Sequence, residues 1–229
     1  MMFDEAMSTL KKLGTEQNRK IYRRHGAGDV LFGVSFGELK KLVRKIKRDQ
    51  SLAEQLWETG NTDAQTLALM IADPALLKSS QADAWLRAIS YSLLADYLAA
   101  LVAQTDFALK KMSKWTKQKK ELTRVCGYAI VCTLLKDVPE ALSDEDCLSL
   151  LQRIEAEIHS SANRARHTMI MTVCAIGIAR PQLRDEAIAT ARRIGPVEVD
   201  HGETNCTTPD AEAYILKAAQ REGKMRRRC

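Results

Sequence analysis

Four potential metal ligands crowd one short stretch, Asp200-His201-Gly202-Glu203-Thr204-Asn205-Cys206. Their spacing fits neither a Cys2His2 nor an HExxH site, and no second cluster completes a set. A turn leading into the last helix accounts for them better, with Thr208 as N-cap and Pro209 as the first helical residue. His25, His159 and His167 each stand alone. Gly26-Ala27-Gly28 with Gly33 does not complete GxGxxG, and neither a Walker lysine nor a GxSxG elbow is present. No metal and no cofactor are expected. The six cysteines include no CxxC pair, and none has an evident partner for nucleophilic work. One carboxylate remains to consider, Asp96, in the run Ser90-Tyr91-Ser92-Leu93-Leu94-Ala95-Asp96. With Leu93, Leu94, Leu98 and Leu101 around it, Asp96 reads by itself as the polar side of an amphipathic helix.

The second chemical feature is positive charge gathered on helix faces. Arg19, Lys20, Arg23 and Arg24 repeat at helical spacing, as do Lys40, Lys41, Arg44, Lys45 and Arg48. Lys110, Lys111, Lys114, Lys117, Lys119 and Lys120 place six lysines in eleven residues with no acid among them. Arg164, Arg166 and His167 open a later helix, where the free amide ends add partial positive charge. Acids gather elsewhere, at Glu140, Asp144, Glu145, Asp146, Glu155 and Glu157. Any one such cluster reads as a solvated face. Several of them on one surface would suit a phosphate backbone, because each neutralised phosphate releases counterions.

The elements that carry these residues are helices. Gly and Pro total 11 and 5 in 229 residues and aromatics make up 5%, too few breakers and rings for an all-β domain. Apolar residues recur at 3.6-residue spacing almost throughout. Ser35-Phe36-Gly37-Glu38 predicts a capping box ahead of a face of Leu39, Leu42, Val43 and Ile46. Ser143-Asp144-Glu145-Asp146 starts a helix with Leu148, Leu151 and Ile154 on one stripe. Further helices are predicted at about 4–13, 15–24, 50–59, 61–72, 80–88, 91–103, 105–114, 120–136, 162–179, 182–194 and 209–222. Trp57, Trp85 and Trp115 sit among apolar neighbours as packing residues. The short breaks predict antiparallel helix pairs repeating every 35–45 residues or so, the range of HEAT-type repeats, in a single all-α domain over 1–229.

The net charge is +6, compatible with a polyanionic partner. The apolar stretches 125–135 and 169–179 fall short of the roughly 20 residues that span a bilayer, so no membrane partner is expected. Without a basic n-region and apolar h-region at the start, a cytoplasmic setting with reduced thiols is expected.

Four segments carry a family resemblance. They are Leu31-Phe32-Gly33-Val34-Ser35 before the basic helix; Leu56-Trp57-Glu58 leading to Gln65 and Ala68; Lys114-Trp115 followed by Arg124-Val125-Cys126-Gly127-Tyr128; and the close from Ala187 through Ile194-Gly195-Pro196-Val197-Glu198-Val199-Asp200 to Ala211. In order and spacing they resemble the AlkD-like family of DNA alkylation repair proteins, HEAT-repeat glycosylases that remove N-alkylated purines. The resemblance covers about residues 20–216 and implies a HEAT-like superhelix, a curved α-solenoid with a basic concave groove for duplex DNA.

That family's carboxylate ends a Trp-Trp-Asp-x-Val-Asp run. The resemblance places Asp96 at this catalytic position, with Tyr91, Ser92 and Leu93 where the family has Trp, Trp and Asp. Arg124 matches, one residue out of register, the family's arginine near the DNA backbone. Thr172 stands where another lesion-facing Trp is expected. The resemblance thus implies Asp96 as electrostatic catalyst and Tyr91 and Arg124 as DNA contacts. Phosphate contacts are expected from Lys40, Lys41, Arg44, Lys45, Lys114, Lys117, Lys119, Lys120, Arg164 and Arg166. The expected partner is double-stranded DNA, alkylated for a glycosylase, with no obligate protein partner. The alternatives are a non-catalytic relative that recognises altered DNA structure, and a helical scaffold for an acidic protein.

Overall fold

The computed structural model describes residues 1–226, with side chains through Arg221, and Cys229 lies outside the described residues. Among the described residues the regular elements are thirteen α-helices and two 3-10 turns, without strands. None of these helices is long and apolar enough to cross a membrane. Two compact units divide the chain, residues 1–111 with 201–205, and residues 112–200 with 206–229.

The first unit holds α1 (Phe3–Leu13), α2 (Glu16–Arg24), α3 (Phe36–Ile46), α4 (Gln50–Glu58), α5 (Thr62–Ile71), α6 (Ser79–Ala88) and α7 (Ser92–Val102); α8 (Ala108–Thr116) begins in it and ends in the second. At its centre is α5, buried almost all round and packed against α1, α3, α4 and α7. Trp57 of α4 and Trp85 of α6 are buried and stack at 4.7 Å between ring centroids.

The second unit holds α9 (Glu121–Asp137), α10 (Asp144–Glu157), α11 (Asn163–Ala179), α12 (Arg184–Ile194) and α13 (Ala211–Arg226). The two stretches too short to span a bilayer lie in α9 and α11, which pack against each other as the main apolar contact of this unit. A helix packs on the one two places later in both units: α3 on α5 and α5 on α7, then α9 on α11, α11 on α13 and α10 on α12. Alternate helices thus form stacked layers, as helix-pair repeats require.

One buried carboxylate positions the first unit. Asp63, 2% exposed at the start of α5, accepts the successive amides of Phe32 (2.6 Å), Gly33 (2.9 Å) and Val34 (2.8 Å). The positive end of α5 further favours its charge, and Asn61 caps the same helix through the amides of Asp63 and Ala64. Gly33 is obligatory in this turn. Its φ of +80° lies in the left-handed region, and a Cβ there would stand 2.5 Å from the Thr15 carbonyl oxygen. In the second unit Gly127 of α9 lies so close to α8 that a Cβ would meet the Thr116 amide nitrogen at 2.5 Å.

Three local expectations are corrected. Ser35 accepts the Glu38 amide (3.3 Å), but the Glu38 carboxylate turns to Lys41 (2.6 Å), so only half the capping box forms. The complete box belongs to Ser143 and Asp146 at the start of α10. The helix predicted at 105–114 becomes 108–116, because the Thr105 hydroxyl donates to the Val102 carbonyl and holds a turn first. The last helix is capped by Asp210, which accepts from the Ala213 amide; Thr208 and Pro209 precede it.

Asp63→Ala leaves three inward amides without their acceptor. It should destabilise the protein by about 3–5 kcal/mol, read as a lowered denaturation midpoint in urea.

Candidate functional site

Asp96 lies in the middle of α7. The helix sends Leu94, Ala95, Leu98, Ala99, Leu101 and Val102 into the core of the first unit, leaving Leu93, Asp96, Tyr97 and Ala100 on the other side. Asp96 is open to solvent, and among the described residues it has no hydrogen bond or ion pair. Packed protein nevertheless withdraws enough water to raise its carboxyl from 3.8 to about 6, with desolvation as the cause. The group is thus reachable from solvent yet poorly hydrated.

The aromatic neighbours of Asp96 are not those expected. Tyr91 is buried just before the first turn of α7, below any surface on which a base could stack. Thr172, where the family has a Trp, is fully buried and donates to the Thr168 carbonyl at 2.9 Å. Tyr97 is half-buried, and its hydroxyl pKa is raised first by burial and then by the Asp96 charge. Its ring lies 6.4 Å from that of Phe36, which lies 5.7 Å from that of Tyr22. Tyr22 is locked by its hydroxyl, which donates to the Val34 carbonyl at 2.6 Å, in the turn that Asp63 holds.

Phe36 opens α3, and Lys40 and Arg44 follow it at one-turn intervals. Both are exposed and unpaired among the described residues. Lys41 and Lys45 are engaged by Glu38 (2.6 Å) and Glu5 (3.0 Å), in exposed pairs that solvent screens. The first unit therefore brings the Tyr97 ring, next to Asp96 on α7, near the Phe36 ring of α3, the helix that also carries Lys40 and Arg44.

In the second unit, Arg124 is 6% exposed and fully engaged. Its Nε donates to the Gln118 carbonyl (2.6 Å), one terminal nitrogen to the Ser161 hydroxyl (2.8 Å), and the other pairs with Glu157 (2.8 Å). Glu121 accepts the Arg164 amide at 2.7 Å. These links join the lysine turn 117–120 to the start of α11, so two clusters separate in sequence become one patch. Lys114, Lys117, Lys119 and Lys120 are exposed there, with Arg164 and Arg166 half-buried beside them. Lys111 is corrected out of its cluster. It is 3% exposed and pairs with Asp83 at 2.8 Å, within the first unit.

The segment 200–206 forms a hydrogen-bonded turn. The Asn163 side chain binds the backbone of Asp200 on both sides, and Thr204 bonds back to His201. Among the described residues no group of three His, Cys, Asp or Glu side chains is arranged to hold a metal ion.

The family described as DNA alkylation repair enzyme matches residues 6–215. This chain belongs to the DNA alkylation repair enzyme family. An uncharacterized protein of Listeria innocua is 34% identical over 225 residues, covering 96% of this chain and 98% of its own. Another, of Listeria monocytogenes, is 32% identical with the same coverage. A solved structure, described as a new family of proteins related to the HEAT-like repeat DNA glycosylases with affinity for branched DNA structures, superposes with a TM-score of 0.89 at 30% identity. That match covers 97% of this chain and 95% of the other. This DNA alkylation repair family member thus has the all-α, HEAT-like repeat fold.

Sequence reasoning missed Phe36, Tyr97 and Glu121. Tyr97 adjoins Asp96 and was within reach of a local reading. Phe36 and Glu121 act across 61 and 43 positions, and no spacing rule reveals such contacts.

This family member's geometry is open to two measurements. Asp96 should titrate near 6 rather than near 4 when its carboxyl carbon is followed by NMR. Arg124→Ala should cost about 2 kcal/mol of stability and speed amide hydrogen exchange across 117–121.

Proposed function

We propose that this protein binds duplex DNA and hydrolyses the N-glycosidic bond of N-alkylated purines, with Asp96 as electrostatic catalyst. The observation that carries this reading is Asp96 itself: a reachable, poorly hydrated carboxylate next to Tyr97, whose ring lies near that of Phe36. An N-alkylated purine already bears positive charge, so it leaves as a neutral base when the C1′–N bond breaks and requires no acid. The bonding electrons depart with the base, and positive charge builds on the deoxyribose. A nearby carboxylate stabilises that charge more strongly where water is scarce. Water then adds to C1′, and its proton passes to solvent or to Asp96.

The basic side chains would hold the DNA by its phosphates. Lys40, Arg44, Lys117, Lys119, Lys120 and Arg164 are suited to direct contact, with Lys41, Lys45, Lys114 and Arg166 beside them. Arg124 has its guanidinium committed to three protein oxygens. Its part is to position the lysine turn. Tyr97 and Phe36, rather than Tyr91, would face the sugar or base.

The interior placement of Tyr91 and Thr172 favours a second reading, a DNA binder that recognises altered structure without cutting the glycosidic bond. The solved relative's described affinity for branched DNA structures lends it weight.

A labelled duplex containing 7-methylguanine separates the two. Under the first reading the wild type releases the base, and Asp96→Asn releases it about a hundredfold more slowly or worse. The carboxylate is the active form, so wild-type kcat/KM should rise with pH through about 6 and then level off. Equal release by wild type and Asp96→Asn would remove the catalytic role; salt-sensitive binding with no release at all would establish the second reading.

A further inference from the structure

The cations on α3 and just after it fall into two rows at the same intervals, one position apart. In the row of Lys41, Lys45 and Arg48, every member is engaged by the first unit itself. Lys41 pairs with Glu38 (2.6 Å) and Lys45 with Glu5 (3.0 Å). Arg48 donates to the Ala72 carbonyl at the end of α5 (2.6 Å) and to the Gln104 side chain just beyond α7 (2.9 Å). In the row of Lys40, Arg44 and Lys47, every member is exposed. Among the described residues none of these three side chains has a hydrogen bond or ion pair, and no acid occurs from 39 to 48.

Lys47 stands in that row against the preference of its own backbone. It follows the last residue of α3 with φ +66° and ψ −114°. This is the first central position of a type II′ turn, which favours Gly because a Cβ there crowds the backbone. Lys47 is the one residue other than Gly with a positive φ among the described residues; Gly26, Gly33, Gly60, Gly195 and Gly202 hold the rest. Gly195 makes the corresponding exit directly after the last residue of α12, at φ +69°. The turn itself is dictated by the fold. By reversing here the chain brings Arg48 to Ala72 and the Asp49 amide to the Ile71 carbonyl (2.9 Å), and it sets the Asp49 carboxylate to cap α4 through the Leu52 amide (2.9 Å). None of these contacts uses the side chain at 47, and Gly would make the same turn without strain. A cation at a helix C-terminus gains from the macrodipole, but Arg44 and Lys45 already occupy the last turn of α3. Strain kept where no internal contact offsets it points to function.

We infer that Lys47 is a DNA contact held at the expense of stability. The first unit accepts a strained turn and so ends the free row of α3 on a third cation. Lys40, Arg44 and Lys47 then lie along the phosphates of one strand, each neutralised phosphate releasing counterions. This inference rests on the reading that the protein binds DNA and is independent of whether Asp96 is catalytic.

The test uses the full chain, with thermal melting and the affinity for a fluorescein-labelled duplex measured across a salt series. Lys47→Gly removes both strain and charge. Its melting midpoint should rise by about 2 °C or more, while duplex affinity falls about fivefold at physiological salt and the slope of log K against log salt shrinks by about 0.9. Lys47→Gln removes only the charge, so it should match the wild type in melting and Lys47→Gly in binding. Arg48→Gln, from the engaged row, should do the reverse, with a lower midpoint and the wild-type salt slope. Wild-type affinity and slope in both Lys47 variants overturn the inference while leaving DNA binding in place, as does an equal loss of slope in Arg48→Gln. A midpoint that does not rise in Lys47→Gly overturns it too, because the turn is then unstrained. Failure of the wild type to retain the duplex at all overturns both this inference and the reading beneath it.

Discussion

Three consecutive amides converging on Asp63 are the constraint from which the first unit follows. A carboxylate at 2% exposure is costly unless its lone pairs are filled, and here the chain wraps a turn around it to fill them. That turn fixes the entry to α3 and so the position of Phe36. Its Val34 carbonyl holds Tyr22, and Tyr22 backs the ring of Phe36. The aromatic rings next to Asp96 are therefore positioned by a buried carboxylate on a different helix. The segment Leu31-Phe32-Gly33-Val34-Ser35 serves this arrangement through its backbone. Phe32, Gly33 and Val34 contribute amides, Gly33 contributes a permitted left-handed turn, and Ser35 contributes a cap.

A similar division of labour holds in the second unit. Within Arg124-Val125-Cys126-Gly127-Tyr128, Gly127 lets α9 pass close to α8, Tyr128 is fully buried, and Arg124 is sealed against Gln118, Ser161 and Glu157. The family segments are thus largely rules of assembly. Groups available to meet a ligand, such as Lys40, Arg44, Lys117 and Lys119, lie on exposed polar faces outside them. A core motif identifies how the chain folds more surely than what it does.

Helix positions were legible because an amphipathic helix writes its burial into its spacing, and nearly every predicted segment lies within a few residues of an observed one. What could not be read was the fate of charged side chains. Arg124 and Lys111 look like any helical cation in sequence, yet one is locked between helices and the other pairs with Asp83 under cover. Their side-chain partners lie 28 to 37 positions away, and a pairing of that kind is decided by packing. The same limit applied at Ser35, where the local rule sent Glu38 back to its cap and a lysine one turn on competed successfully. Convergence of the lysine turn with the start of α11 likewise needed Glu121 and Arg124 to be seen in place.

The tryptophans supply a built-in optical record of this organisation. Trp57 and Trp85 stack in the first unit, while Trp115 is buried in the second. Two indoles at that separation couple their electronic transitions, so the near-ultraviolet dichroism of the pair belongs to one half of the chain. The Trp115 indole reports from the other half. Loss of one signal before the other would reveal whether the halves melt together, with no label attached.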